Sequence, residues 1–184
     1  EGEAKERKKA ETELKKAQAV SEFVGGIFTA VEPGELGDVD DADKDLLKLV
    51  LSKGAERIQD LEGQPEVEAP IRHILGNAYF SLAFYEEALV HHERALVLKL
   101  KLFGPDHQDV AAIYNNIGRV YRTKGEYDQA LEYHQKSLAI KLKQLGADHP
   151  DVALSYNNIG AAHDAKGEYD KALEYHQKAL AIRL

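Results

Sequence analysis

Two groups of residues in this sequence have the types and spacing that could hold a metal ion. Asp38, Asp40, Asp41, Asp43 and Asp45 set carboxylates close together in one short run, the hard oxygen donors that calcium needs. Counted as a calcium loop from Asp41, however, the position that requires glycine is Leu46 and the one that requires a closing Glu is Ser52. The run therefore reads as a solvated loop whose aspartates cap a helix. His92, His134 and His176 recur at a constant interval of 42 residues. Equivalent atoms on neighbouring packed helices stand roughly 10 Å apart, whereas zinc requires every ligand within about 2 Å of one centre. These histidines are expected to be semi-buried packing groups, and adjacent His91 and His92 point to different sides of their helix.

Other chemistry is excluded more directly. The sequence has no Cys, which removes thiolate metal sites, disulfides and cysteine nucleophiles. It contains no phosphate-binding glycine loop, no His-Glu-x-x-His and no Gly-x-Ser-x-Gly. Carboxylate pairs such as Glu168 and Glu174 are expected on the solvated faces of a chain in which 30% of residues are charged. No catalytic residue, metal or cofactor is expected, and the chain reads as a non-enzyme. A net charge of −8 argues against a phosphate backbone as the main partner. Apolar runs are short, and the opening EGEAKERKKAETELKKAQ is too charged for a signal peptide or membrane span. A soluble, cytoplasmic segment without membrane insertion is expected. With no Met at all among its 184 residues, it reads as an excerpt of a longer protein.

The histidine interval belongs to a repeat that fixes the architecture. His107–Leu142 and His149–Leu184 are identical at 25 of 36 positions, and Pro65–Leu100 is a divergent copy that keeps Gly76, Tyr79, Tyr85, Ala88, Leu89, His92 and Leu96. Within one copy, Val110, Tyr114, Ile117 and Tyr121 form the stripe of one helix, here called helix A, and Lys124-Gly125 breaks it. Ala130, Leu131, His134, Leu138 and Leu142 mark a second helix, B. Gly118 and Gly160 on helix A, with Ala130 and Ala172 on helix B, fall where two backbones must come close. Between hairpins, Gly104 and Gly146 suit a left-handed residue past a helix end, and Asp106 or His107, with their counterparts Asp148 and His149, can cap the next helix.

This pattern resembles the tetratricopeptide repeat, and the 42-residue period with Tyr-Asn-Asn-Ile-Gly and Gly-x-Asp-His-Pro is similar to the longer variant of kinesin light chains and related bacterial proteins. The resemblance covers Pro65–Leu184 and implies an all-α, right-handed solenoid of stacked hairpins. The first copy departs from it, with Arg72 where an aromatic is expected and Ala83 where the turn glycine is. Residues 63–184 are thus expected to hold three repeats, at about 65–106, 107–148 and 149–184. Residues 1–62 are expected to form a helical cap or arm, with one helix through Leu14, Ala17, Val20, Phe23, Ile27, Phe28 and Val31 and a second over about Asp43–Leu61. That region is also similar to the segment preceding such repeats in bacterial Ser/Thr kinases. The likeness implies a sensor arm on the outer side of a membrane as an alternative.

Specificity is expected on helix A. Eight of the eleven differences between the last two copies fall there, at 108, 112, 113 and 119–123. Ala112, Asn115, Arg119, Arg122 and Thr123 share one sector away from Tyr114 and Ile117, matched by Leu154, Asn157, Ala161, Asp164 and Ala165, and by Pro70, His73, Asn77, Phe80 and Ser81. The resemblance implies that helix A lines a concave groove. Asn77, Asn115, Arg119, Arg122, Asn157 and Asp164 are then the expected contacts to a peptide or helix of a protein partner. An amide can grip a peptide backbone, or Asn115-Asn116 and Asn157-Asn158 can bond neighbouring helices, with one member of each pair in each role. Arg119 and Arg122 favour an acidic or phosphorylated residue on the partner, while the lysines of the family's chaperone-tail clamp are missing from this face. The alternative to peptide binding is homo-oligomeric assembly through the C-terminal flank.

Overall fold

The computed structural model describes residues 41–56, 58 and 63–183, so the first expected helix and Leu61 lie outside the described residues. All regular structure among the described residues is helical. Helix α1 (Asp41–Glu56) is followed by α2 (Pro65–Ser81), α3 (Tyr85–Phe103), α4 (Gln108–Lys124), α5 (Tyr127–Leu145), α6 (Pro150–Lys166) and α7 (Tyr169–Arg183). The pairs α2–α3, α4–α5 and α6–α7 are antiparallel hairpins stacked side by side, an all-α solenoid. Helix α1 lies against the first hairpin: Leu51 and Ile58 join Val67, Ile71 and Leu75 in one core, and Lys48 reaches Glu87 at 2.5 Å.

The cores show why a single stripe describes helix A incompletely. Val110 and Ile117 are buried as expected, but so are Ile113 and Val120. Helix α4 is wedged between its own partner α5 and the preceding hairpin, where Ile113, Ile117 and Val120 meet Ala88, Leu89 and Ala95. Helix α6 repeats this with Val152, Ile159 and Ala162 on Ala130, Leu131 and Leu138. Three of the eight helix A differences, Ile113/Ser155, Val120/Ala162 and Tyr121/His163, therefore lie at packing positions and not on the open sector. Tyr121 and His163 also belong to ring stacks that recur in each hairpin: Tyr79 on His91, Tyr121 on Tyr133 and His163 on Tyr175, with centroids 5.2, 5.5 and 5.4 Å apart.

Turns follow the sequence with one choice settled and one correction. His107 and His149, not the neighbouring aspartates, cap α4 and α6: each Nδ1 accepts from the backbone N–H two residues on, at 3.1 Å. Gly104 and Gly146 have positive φ but ψ of 175° and 165°, outside the left-handed helical basin and in a region essentially restricted to glycine. The left-handed helical turn residues are Gly125 and Gly167, and Ala83 holds the same position in the first hairpin at φ 64° despite its Cβ. Arg72 likewise occupies the missing aromatic's place. It lies 3.4 Å from His91 and bonds the buried carboxylate of Glu68, which also accepts from Arg94. Burial alone would raise the Glu68 pKa, but the two guanidinium groups hold it below the ordinary carboxylate value.

The tightest interlock inside a hairpin is a histidine ring laid on a glycine. A Cβ added at Gly76 would stand 2.6 Å from the His92 ring, at Gly118 2.9 Å from the His134 ring, and at Gly160 2.8 Å from the His176 ring. Glycine on helix A and histidine on helix B are thus two halves of one contact. His92 and His134 are almost fully buried, whereas His176, on the outermost helix, is exposed. Burial, with nearby positive charge, pushes the pKa of His92 down to about 3 and that of His134 to about 4. Burial together with Arg72 pushes His91 to about 4.

Gly118→Ala should cost about 1–3 kcal/mol through overpacking against the trapped His134 ring, while Gly160→Ala should cost far less because His176 can swing into solvent. Urea unfolding of both variants checks this. His91, His92 and His134 also set a pH dependence. Each binds its proton more readily when unfolded, so stability is full above pH 6.5 and falls with pH toward 4 and below. The slope should approach roughly 1.4 kcal/mol per pH unit per ring, and His134→Leu should flatten it in urea titrations between pH 7.5 and 4.5.

Candidate functional site

Helices α2, α4 and α6 lie side by side, and the sector expected to be open is open in part. Asn77, Ala112, Arg119, Thr123, Leu154, Asp164 and Ala165 are exposed, while His73, Phe80, Asn115, Arg122 and Asn157 are half-buried. Two hollows follow this surface across the hairpins. The first, about 290 Å³, is lined by Pro70, His73, Ile74, Asn77, Lys99, Asp109 and Ala112. The second, about 400 Å³, is framed by Gln108, Asn115, Asn116, Lys141, Leu145 and Asp151, and shares His73, Asp109 and Ala112 with the first. Of the six expected contacts, Asn77 and Asn115 line hollows. Arg119, Arg122, Asn157 and Asp164 lie outside them along the same helices.

The asparagines divide their roles by position. Asn116 Nδ2 lies 2.7 Å from His73 Nε2 and donates to Asn77 Oδ1 at 3.1 Å; one period on, Asn158 Nδ2 donates to Asn115 Oδ1 at 2.7 Å. The second Asn of each pair thus ties its hairpin to the one before, and His73 stands in for the first Asn in the divergent copy. Asn77 and Asn115 accept these bonds, and their own Nδ2 groups have no partner among the described residues. Asn157 Oδ1 accepts from His176 Nδ1 at 3.1 Å. The Arg119 guanidinium lies 4.9 Å from the Phe80 ring centroid, a cation–π contact. Arg122 and Asp164 form no ion pair among the described residues.

Lysines reach this surface after all, from helix B. Lys99 Nζ lies 2.5 Å from Asp109 Oδ2, and Lys141 Nζ donates to Ser155 Oγ at 3.1 Å. The equivalent Asp151 stands beyond bonding distance of Lys141. Burial lowers the Lys141 pKa, an effect that Asp151 partly offsets. Burial would raise the Asp109 pKa, but the bond from Lys99 holds it low. His73 is lowered by burial and by Lys99. The hollows therefore combine cationic, anionic and amide groups at one wall, a lining suited to a peptide backbone and its side chains. The missed signal was the periodic Lys99, Lys141 and Arg183, which a reading of helix B as packing alone passes over. No group of three or more His, Asp or Glu among the described residues could hold a metal, and no described helix is long and apolar enough to cross a membrane.

The profile of the tetratricopeptide repeat matches residues 68–143 and 121–184. No curated protein sequence matches the chain significantly. Among solved structures it is similar to BtubC (BKLC) from P. vanneervenii, at 26% identity over 94% of this chain and 75% of that one, with a TM-score of 0.63. It shares its fold with the nearly identical TPR-like repeats assigned to a kinesin light chain of Podosopora anserina, at 19% identity, 96% and 95% coverage and a TM-score of 0.56. The same holds for the TPR domain of Arabidopsis FLU, at 20% identity, 64% and 95% coverage and 0.57.

If the Asn115–Asn158 bond is a tie between hairpins, Asn115→Ala and Asn158→Ala should each cost about 1 kcal/mol. The double variant should be hardly worse than either single one. A urea double-mutant cycle checks this, and additive losses would mean that the two amides are not coupled.

Proposed function

The chain belongs to the tetratricopeptide repeat family, whose members are generally protein–protein interaction modules, and from that premise we propose that it holds an extended peptide of a partner protein in the groove along α2, α4 and α6. The observation that carries this reading is the pair of adjoining hollows, which place unspent donors of Asn77, Asn115 and Lys141 beside the acceptors Asp109 and Asp151. An extended peptide offers alternating N–H and C=O groups that such a lining can meet without reading side chains.

Side-chain preference comes from the next turn of the helices. At one equivalent position the three hairpins present Phe80, Arg122 and Asp164 in order, and Arg119, which holds the repeat position of Asn77, lies one turn before Arg122. Adjacent helices stand roughly 10 Å apart, and an extended chain advances about 3.3 Å per residue. The fitting peptide carries an apolar, an acidic or phosphorylated, and a basic side chain about three residues apart. Net hydrogen bonds contribute roughly 1 kcal/mol each, so micromolar affinity, about 8 kcal/mol, also needs burial of the apolar residue near Phe80.

A peptide array varying the order of these three types should favour apolar, then acidic, then basic. For the best peptide, Arg122→Glu should weaken binding at least tenfold, most at low salt. Ala112→Trp, which fills both hollows from an exposed position, should abolish it with helicity unchanged by circular dichroism. Full binding by a folded Ala112→Trp variant would place the peptide site elsewhere.

A further inference from the structure

His73 stands in the wall shared by the two hollows, at the position that Asn115 and Asn157 hold in the later repeats. An amide that does not titrate is replaced there by a ring that does. Asn116 Nδ2 lies 2.7 Å from His73 Nε2 and 3.1 Å from Asn77 Oδ1. The amide nitrogen of Asn has two hydrogens and accepts nothing, so it donates one hydrogen to each neighbour. His73 Nε2 is thereby an acceptor, and the proton of the neutral ring sits on Nδ1. At the free ends of this chain Asn77 keeps its Nδ2 donor and Asn116 its Oδ1 acceptor, neither with another hydrogen-bond partner among the described residues.

Protonation of His73 turns Nε2 into a donor. Two N–H groups then oppose each other unless Asn116 rotates its amide by half a turn and places Oδ1 where Nδ2 was. There Oδ1 accepts from His73 Nε2 and, through its second lone pair, from Asn77, once the Asn77 amide has turned over in the same way. Both hydrogen bonds survive in place, each with its direction reversed. The free ends reverse as well: Asn77 now shows an oxygen to the groove, and Asn116 an N–H. We propose that His73, Asn116 and Asn77 form a proton-operated relay that inverts the hydrogen-bonding polarity of the groove wall, so that a peptide held at neutral pH is released in acid. The release rests on the peptide reading above; the relay does not.

The charged and titrating groups that face His73 come from α3 and α4. Burial, and then Lys99, hold His73 below the ordinary histidine value of 6.5, while Asp109, itself 2.5 Å from Lys99, partly offsets them. The reversal therefore comes below that value. His92 meets the His73 ring edge-on at a centroid distance of 5.5 Å and, with its pKa pushed down to about 3, stays neutral meanwhile. At the second junction Asn115 and Arg119 hold the positions of His73 and Asn77. The bond from Asn158 to Asn115 thus ends on no titrating ring, which confines the relay to the first junction.

NMR of the ligand-free chain tests the relay. At pH 7.5 the His73 imidazole should carry its proton on Nδ1 and none on Nε2. Between pH 7.5 and 5 the side-chain amide signals of Asn116 and Asn77 should move with the His73 midpoint, while those of Asn158 stay still. His73→Asn installs the residue of the other two repeats, so it should fold normally and hold the Asn116 and Asn77 signals constant. The release is read with an unphosphorylated peptide carrying apolar, acidic and basic residues in the favoured order. Its affinity should fall several-fold across this window in the unaltered chain and far less in His73→Asn. Saturating peptide should in turn lower the His73 midpoint, because the linkage is reciprocal. A proton on Nε2 at pH 7.5, or amides that stay fixed while His73 titrates, would overturn the relay. Affinity that stays constant while the amides reverse, or a pH dependence that survives His73→Asn unchanged, would overturn the release. Failure of the peptide to bind at either pH sinks the peptide reading instead, and the amide signals still decide the relay.

Discussion

The spacing of the two helices in every hairpin is set by an imidazole resting on a backbone that has no side chain beneath it. At Gly76 and Gly118 there is no room for even one carbon beyond Cα without displacing His92 or His134, and neither ring has anywhere to go. Helix A is thereby drawn close to helix B along its middle, and its opposite faces become available for the preceding hairpin and for the open surface. The hollows on α2, α4 and α6 exist because these helices are held at a constant depth relative to their partners.

Stacking adds a second layer of control, which is polar and periodic. Apolar cover between hairpins is non-directional and would tolerate sliding of one helix along another. A hydrogen bond from the side-chain amide of Asn116 or Asn158, a lysine at one end of each junction and another lysine near the opposite end fix the register at three heights. These links also hold the groove in shape, since Asn115, Lys99 and Lys141 serve both the junction and the hollow.

Much of this was legible in the sequence because it follows from periodicity: the hairpins, their breakers at Gly125 and Gly167, the close approach at Gly118 and Gly160, and the open sector from Ala112 to Thr123. What periodicity does not reveal is partnership across helices. Glycine and histidine each looked like a packing residue, and only their superposition shows that one makes room for the other. Ile113 and Val120 fell outside the stripe of Val110, Tyr114, Ile117 and Tyr121, because a one-sided stripe does not anticipate a helix wedged between two neighbours. Lys99 and Lys141 sit in a helix that otherwise serves packing, and their long side chains carry charge to a surface several ångströms from their own backbone. Ala83 shows the converse: the stack imposes a left-handed turn on a residue that would not choose it. The expected division at residue 62, and the resemblance to kinase-linked segments before it, concern a region largely outside the described residues.

The two junctions differ in what fills them. Between the first and second hairpins Lys99 meets a carboxylate, and Ile113 and Val120 fill the seam. Between the second and third, Lys141 meets only a hydroxyl, and the same places hold Ser155 and Ala162. The later seam, with smaller side chains in its middle, leans instead on its ends: Asn158 on Asn115 at 2.7 Å and Lys166 on Asp128 at 2.6 Å.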